Sequence, residues 1–247
     1  MSDQLPLLSV LVPVYNESAT VEQAIASMLD TELPGFRCEL VVVDDGSVDG
    51  TRELLRGREW PGEVRLFFHD FNRGKGAAVR TALSHAEGAF TTIMDADLEY
   101  DPASLAVLIA PLLSGVAEVV YGVRGFQSHS AFSFWYVMGN KLVTLVANVL
   151  YNRWLADIMT CHKIMRTDLF RSLDLREEGF GIEPEITARV LRAGNQIYEM
   201  AVPYTARRRE EGKKLTAADG LRVLRTLIRC RVARPRAGAP APGDPAI

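Results

Sequence analysis

The feature that most restricts this chain is an alternation repeated along its first half. Leu8 to Val14, Glu39 to Val43, Val64 to His69 and Phe90 to Met94 are short apolar runs, mostly β-branched or aromatic, and the first three each lead into a helix-compatible stretch. Runs of this composition read as strands. Strands alternating with helices build βαβ units, because a parallel pair needs a crossover long enough to hold a helix. The expected class is therefore α/β, with a mostly parallel central sheet flanked by helices. Asp49 is placed to cap the helix from Thr51, Pro102 suits the first turn of a helix running towards Leu113, and Val116 to Val123 reads as another strand.

In open α/β sheets ligands bind beyond the carboxyl ends of the strands, so the residues closing each run carry the functional signal. The first run closes in Val12-Pro13-Val14-Tyr15-Asn16-Glu17 and the second in Asp44-Asp45-Gly46-Ser47. The third leads to Asn72-Arg73-Gly74-Lys75-Gly76, and the fourth closes in Asp95-Ala96-Asp97. Carboxylates at two strand tips with a lysine loop between them suit a nucleotide diphosphate and its metal. Two acids one residue apart at a strand end can both face a ligand, and their hard oxygens fit Mg²⁺ or Mn²⁺, with Glu99 able to complete the set. Read in isolation, Asp-x-Asp is equally a turn. Asp44 and Asp45 can accept hydrogen bonds from a nucleobase and a ribose, or form an Asx-turn. Lys75 suits a phosphate, or a solvated place at a helix entrance. The loop is no Walker A motif, and no G-x-G-x-x-G follows the first strand.

From Ser130 the pattern changes to a long helix, a Thr160 to Arg166 strand and a helix around Pro184 to Arg192. The apolar stretch Ala131 to Tyr151 is interrupted by Asn140, Lys141 and Asn148, which favours a buried or interfacial helix over a lipid span. Thr216 to Asp219 reads as a capping box opening a last helix, with Leu221, Leu224, Leu227 and Ile228 on one face and Arg222, Arg225, Arg229 and Arg231 on its flank. The expected organisation is one domain over 1–234, with a nucleotide-binding half in 1–100, a second half in 101–234 and a disordered Pro/Ala/Gly-rich tail in 235–247.

A net charge of -3 gives no global electrostatic case for nucleic acid. Three distant cysteines without C-x-x-C spacing fit a reducing compartment rather than disulfides or zinc, and the start of the chain has no positive region before its apolar run, so no signal peptide is read there. A cytoplasmic place follows, and the arginine-rich last helix extends it to the cytoplasmic face of a membrane.

Together, VPVYNE, VVVDDGSVDGT, NRGKGAAVRTAL, MDADLEYDP, Asp157 to Lys163, GFGIEPEITARV and EEGKKLTAADGLR resemble family 2 of the glycosyltransferases, which have the glycosyltransferase A fold, and within it bacterial relatives of dolichol-phosphate mannosyltransferase. The resemblance runs from about Leu8 to about Arg231. It implies that Pro13, Tyr15, Glu17 and Asp45 hold the nucleoside and that Asp95, Asp97 and Glu99 lie at the metal, Glu99 standing where many relatives have Gln. It also implies that Arg124, Lys163, Arg207 and Lys214 face phosphates of donor or acceptor, and that His162 replaces an aromatic.

The implied reaction is inverting transfer of a hexose from a GDP- or UDP-sugar, assisted by the metal, which makes 1–100 the nucleotide-sugar half and 101–234 the acceptor half of one catalytic domain. A polyprenyl phosphate acceptor is already anionic and needs no strong base. A sugar hydroxyl in a glycan would need one, with Glu183, Glu185 and Asp157 as candidates, although Glu183 and Glu185 also suit a helix start. A nucleotidyltransferase is a further alternative, but its glycine-rich basic loop is missing after the first strand.

Overall fold

The computed structural model describes residues 5–125, 134–205 and 217–233. Its strands are β1 (Leu7–Val14), β2 (Arg37–Asp44), β3 (Val64–Phe68), β4 (Phe90–Ile93), β5 (Val119–Arg124), β6 (Lys163–Arg166) and β7 (Ile197–Val202). Its helices are α1 (Val21–Leu29), α2 (Thr51–Gly57), α3 (Lys75–His85), α4 (Ser104–Leu113), α5 (Phe134–Tyr151), α6 (Thr167–Ser172), α7 (Ile182–Arg192) and α8 (Ala217–Val232). The strands form one sheet in the order β3-β2-β1-β4-β6-β5-β7. Pairing is parallel for β1 with β2 and β4, β2 with β3, and β5 with β7. Only β6 runs against its neighbours, β4 and β5.

That reversal positions the site. With β6 antiparallel to both flanking strands, β5 again runs parallel to β4, so Arg124 at the end of β5 reaches the same sheet edge as Val14, Asp44 and Ile93. Register sets how far each strand reaches: Val14 pairs with Asp44, Ile93 with Leu11 and Arg124 with Val202. The central strands are covered on both faces, which is why β1 is buried almost throughout and reads as a continuous apolar run. Its one polar side chain, Ser9, donates to Glu39 at 2.5 Å and accepts from the Gly88 amide at 2.8 Å. One core follows the sheet, and a second, built from Val143, Ala147, Ile158, Val223 and Leu227 among others, joins α5, α7 and α8.

Several boundaries differ from expectation. β7 gives no clear sequence signal, because it is an edge strand of mixed exposure with no apolar run. The expected Thr160 to Arg166 strand is shortened to β6, since Thr160 Oγ1 bonds to the Gly122 carbonyl and residues 160–162 bend over the sheet edge. Asp49 caps α2 from the residue before its Gly50 N-cap, accepting the Thr51 amide at 3.1 Å. Pro102 precedes α4 rather than opening it. The packed face of α8 is Val223, Thr226, Leu227 and Cys230, whereas Leu221 and Ile228 are exposed, so the apolar face expected for this helix is corrected. Thr216 and the tail from 235 lie outside the described residues. Among those described, no helix is long and apolar enough to cross a membrane.

Candidate active site

A cleft of about 470 Å³ opens along the shared sheet edge, within the range of small-molecule sites. Pro13, Tyr15, Glu17 and Asp45 line one side, Lys75, Asp95, Asp97 and Glu99 the middle, and Arg124 and Glu183 the other. The loops after β1 and β2 are tied together, the Asn16 amide donating to Ser47 Oγ and the Val48 amide to Asn16 Oδ1. These ties fix Tyr15 and Glu17 on the rim.

The acidic turn owes its shape to backbone geometry. Leu98 adopts φ 60°, a left-handed conformation disfavoured for a bulky side chain, and Asp97 Oδ1 accepts the Glu99 amide at 3.1 Å. Strained backbone of this kind gathers at ligand sites. Lys75, the first residue of α3, places Nζ 2.8 Å from Asp95 Oδ2 and 2.6 Å from Glu183 Oε1. Burial opposes its charge, but the two carboxylates outweigh burial and hold its pKa well above the usual value. The flanking glycines are required for close approach: a Cβ at Gly74 or Gly76 would collide with the carbonyl of Glu178 or Glu177. Glu183 is buried, and its Oε2 has no hydrogen-bond partner among the described residues.

Asp45 accepts from His69 Nδ1 at 2.6 Å, the Arg73 amide at 3.0 Å and the Gly74 amide at 2.7 Å, so it orders the lysine loop as well as lining the cleft. Asp44 departs from the expected ligand role. It is fully buried, pairs with Arg52 at 2.7 Å and accepts the Ser47 amide at 3.2 Å, which is the Asx-turn alternative.

The far wall holds its charges in pairs. Arg124 grips Asp157 with Nε to Oδ2 at 2.6 Å and Nη2 to Oδ1 at 2.9 Å, and Asn140 of α5 adds a third bond at 3.1 Å. Burial works against ionisation of Asp157, but the Arg124 guanidinium prevails and holds its pKa below the ordinary carboxylate value. Lys163 does not face the cleft. It is fully buried, bonded to the Ile158 and Thr160 carbonyls, with Nζ 4.6 Å from the Tyr121 ring centre. Burial pushes its pKa down to about 8, against the pull of Glu183 and Asp157. This correction follows from its position at the amino end of the reversed strand β6, where a long side chain holds the preceding loop in place. His162 packs against Tyr100, with ring centres 4.2 Å apart, and burial depresses its pKa to about 3. Arg207 and Lys214 lie outside the described residues.

A family model described as glycosyl transferase family 2 matches residues 9–174, well over half of the 247-residue chain. The chain belongs to glycosyl transferase family 2. Among curated family relatives, it is 29% identical over 212 residues to dodecaprenyl-phosphate galacturonate synthase of Rhizobium johnstonii, covering 81% of this chain and 59% of that one. It is 27% identical over 227 residues to dolichol-phosphate mannosyltransferase of Pyrococcus furiosus, covering 90% and 63% respectively. The chain thus spans less than two thirds of either relative's length. The crystal structure of glucosyl-3-phosphoglycerate synthase from Mycobacterium tuberculosis, in complex with Mn²⁺, uridine-diphosphate and phosphoglyceric acid, superposes with a TM-score of 0.69 at 20% identity, covering 94% of this chain and 80% of that one. The fold is accordingly the glycosyltransferase A fold.

In this family 2 chain the metal question turns on the donor set. Asp95 and Asp97 both line the cleft with hard oxygens, which suits Mg²⁺ or Mn²⁺, ions that keep open positions for waters and phosphates. Among the described residues no group of three or more His, Cys, Asp and Glu forms a cage, so Asp95, Asp97 and Glu99 do not gather as the expected set of three. Glu99 Oε2 instead accepts the Tyr204 hydroxyl. Tyr204, Tyr100, Phe180, Met159 and Cys161 line the cleft without having been singled out in the sequence. Tyr204 follows the unpredicted strand β7, and its ring lies 5.0 Å from that of Tyr100 and 5.3 Å from the Arg124 guanidinium.

Proposed function

We propose that this chain transfers a hexose, with inversion, from a GDP- or UDP-sugar to a polyprenyl phosphate, using Mg²⁺ or Mn²⁺ held by Asp95 and Asp97. The observation that carries the reading is the joint presence of both carboxylates and the Lys75 ammonium in one cleft at the strand ends. Family membership supports the transfer, the names of the two relatives support a polyprenyl-phosphate acceptor, and the Mn²⁺ and uridine-diphosphate bound by the structural neighbour support the donor and metal. The metal would offset charge developing on the departing diphosphate. Lys75 adds a fixed cation beside it, already oriented by Asp95 and Glu183, so little reorganisation accompanies charge development. Pro13, Tyr15, Glu17 and Asp45 would hold the nucleoside, and Arg124, clamped by Asp157, would present a rigid cationic wall to the incoming phosphate. The acceptor would meet the protein at a membrane surface.

Among the described residues, two of the three candidate bases are engaged elsewhere, which supports the phosphate acceptor. Both Asp157 oxygens are taken by Arg124, and Glu185 accepts the Arg176 and Glu177 amides and the Arg189 side chain away from the cleft. An acceptor that is already anionic requires no deprotonation. A second reading rests on one atom: Glu183 Oε2, buried and without a hydrogen-bond partner among the described residues, would serve as base for a sugar hydroxyl in a glycan.

The test is thermal shift with GDP- and UDP-sugars, with and without Mn²⁺, followed by transfer assays on a short-chain polyprenyl phosphate and on glycan acceptors. A ligand that binds only the folded state raises its melting point. The expected result is a metal-dependent rise that Asp97→Ala removes, and transfer to the phosphate. Undiminished transfer in excess chelator sinks the metal role, and transfer to glycans alone selects the second reading.

A further inference from the structure

Helix α5 is polarised in an unusual way. Its inner face, Asn140, Val143, Thr144 and Ala147, is buried. On the opposite side Trp135, Met138, Leu142, Leu145 and Val149 are spaced three and four apart, so they form one stripe, and all are exposed, Trp135 by 80% and Val149 by 74%. A surface helix ordinarily turns charge outward there. This one has no acidic residue, and Lys141 is its single charge. Just past its end stands Trp154, 90% exposed, so tryptophans mark both ends of the apolar stripe.

Helix α8 lies against α5, with the Tyr151 hydroxyl 2.9 Å from the Leu227 carbonyl and Arg231 Nε 2.9 Å from the Leu150 carbonyl. Its outward side repeats the theme: Leu221, Ile228 and Val232 are exposed, beside Arg222, Arg225, Arg229 and Arg231. The two helices hold five cations, Lys141 and those four arginines, against one acid, Asp219, on a chain whose net charge is -3. Arg229 is paired with Glu177, at 2.5 Å.

We propose that the outward faces of α5 and α8 dock on an anionic lipid bilayer, with the α5 stripe sunk into the interface and the basic side chains on the headgroups. An apolar face rimmed by basic residues and carrying tryptophan at its ends is the chemistry of an interfacial helix. Charge decides against a second copy as occupant, because a two-fold contact would set this basic rim against itself. The face also backs onto the cleft. Asn140, on the inner side of α5, bonds to the Asp157 that clamps Arg124, and Arg222 of α8 lines the cleft. The docked helix is thus the same one that braces the Arg124 wall, and its use by a lipid-borne phosphate rests on the acceptor proposed above.

The test uses the full chain and mixed phosphatidylcholine–phosphatidylglycerol vesicles without donor or polyprenyl phosphate. Sedimentation with the vesicles is expected, with a blue shift in Trp135 and Trp154 emission. Trp60, whose indole N–H bonds to the Leu55 carbonyl, serves as unmoved reference. Replacing Leu142→Glu together with Leu145→Glu should weaken binding about tenfold or more, since apolar burial drives interfacial docking. Both side chains are exposed, so the melting temperature should hold. If that variant unfolds, Trp135→Ser with Val149→Ser replaces it. Absent vesicle binding, binding equal to wild type in both variants, or a dimer that these substitutions dissolve would overturn the proposal. Transfer to a water-soluble short-chain polyprenyl phosphate, measured in parallel, separates failure of docking from failure of the proposed reaction.

Discussion

The two halves of the sheet handle charge in opposite ways. Around β1 to β4 the interior is largely apolar and the acids proposed to hold the metal, Asp95 and Asp97, follow a strand tip and line the cleft. Around β5 to β7 the interior takes in Arg124, Asp157, Lys163, Glu183 and Glu185, while α5 and α8 turn apolar side chains outward. The first half resembles an ordinary domain with a ligand crevice. The second has its usual polarity reversed, which suits a wall built to meet something other than water. Charge at the strand tips of the first half should therefore matter for chemistry alone, and the buried Arg124–Asp157 pair of the second for folding as well.

The largest effect expected from that contrast is catalytic. Asp97→Asn should lower turnover by about 10³-fold, the scale of one electrostatic contact to developing charge, with the melting temperature nearly unchanged. A turnover assay beside a thermal melt would decide it, and a fall in stability of similar size would erase the distinction between the halves. Asp157→Ala is the converse. It takes the Asp157 carboxylate away from the buried Arg124 and should cost about 3–5 kcal/mol in urea unfolding. Equal costs at Asp95 and Asp157 would break the comparison.

A third prediction concerns acid. Burial lowers the folded-state pKa of His162 to about 3 from 6.5, so the unfolded chain binds the proton more tightly and stability is lost as pH falls below 6.5. By about pH 4.5 the loss attributable to His162 should approach about 3 kcal/mol, and His162→Phe should remove it. Matching pH–stability curves for the two proteins would contradict this. The smallest effect is expected at the seam: Tyr204→Phe gives up the bond to Glu99 and should cost about 1 kcal/mol in the same unfolding assay. A change in metal affinity instead would mean that Glu99 acts on the ion despite its tie to Tyr204.

Much of the first half was legible because its signals are local. Strand runs β1 to β4 fall within a few residues of expectation, and Asp45, Lys75, Asp95 and Asp97 all meet in the cleft. Asp44 was misjudged as a ligand because two adjacent acids look alike in a sequence, while the strand's alternation sends one to Arg52 and the other to the cleft. The second half was harder to read. Lys163 looks like any available cation until the loop before β6 is seen to close over its ammonium with the Ile158 and Thr160 carbonyls, and Tyr204 follows a strand too mixed in exposure to announce itself. On α8 the helical period was right and the face was wrong, since leucine count does not reveal which side a neighbouring helix covers.

By itself the sequence determined the alternation of strands and helices, the polar strand tips and the family to which they belong. Each of these is a matter of spacing between near neighbours, and periodicity records that faithfully. Tertiary structure alone decided the reversed strand, the pairing of Arg124 with Asp157 across 33 positions, the burial of Lys163 and the outward turn of the α5 stripe. Those depend on which distant segments meet, and a side chain's charge or oiliness does not specify whether its surroundings will be water, protein or another phase.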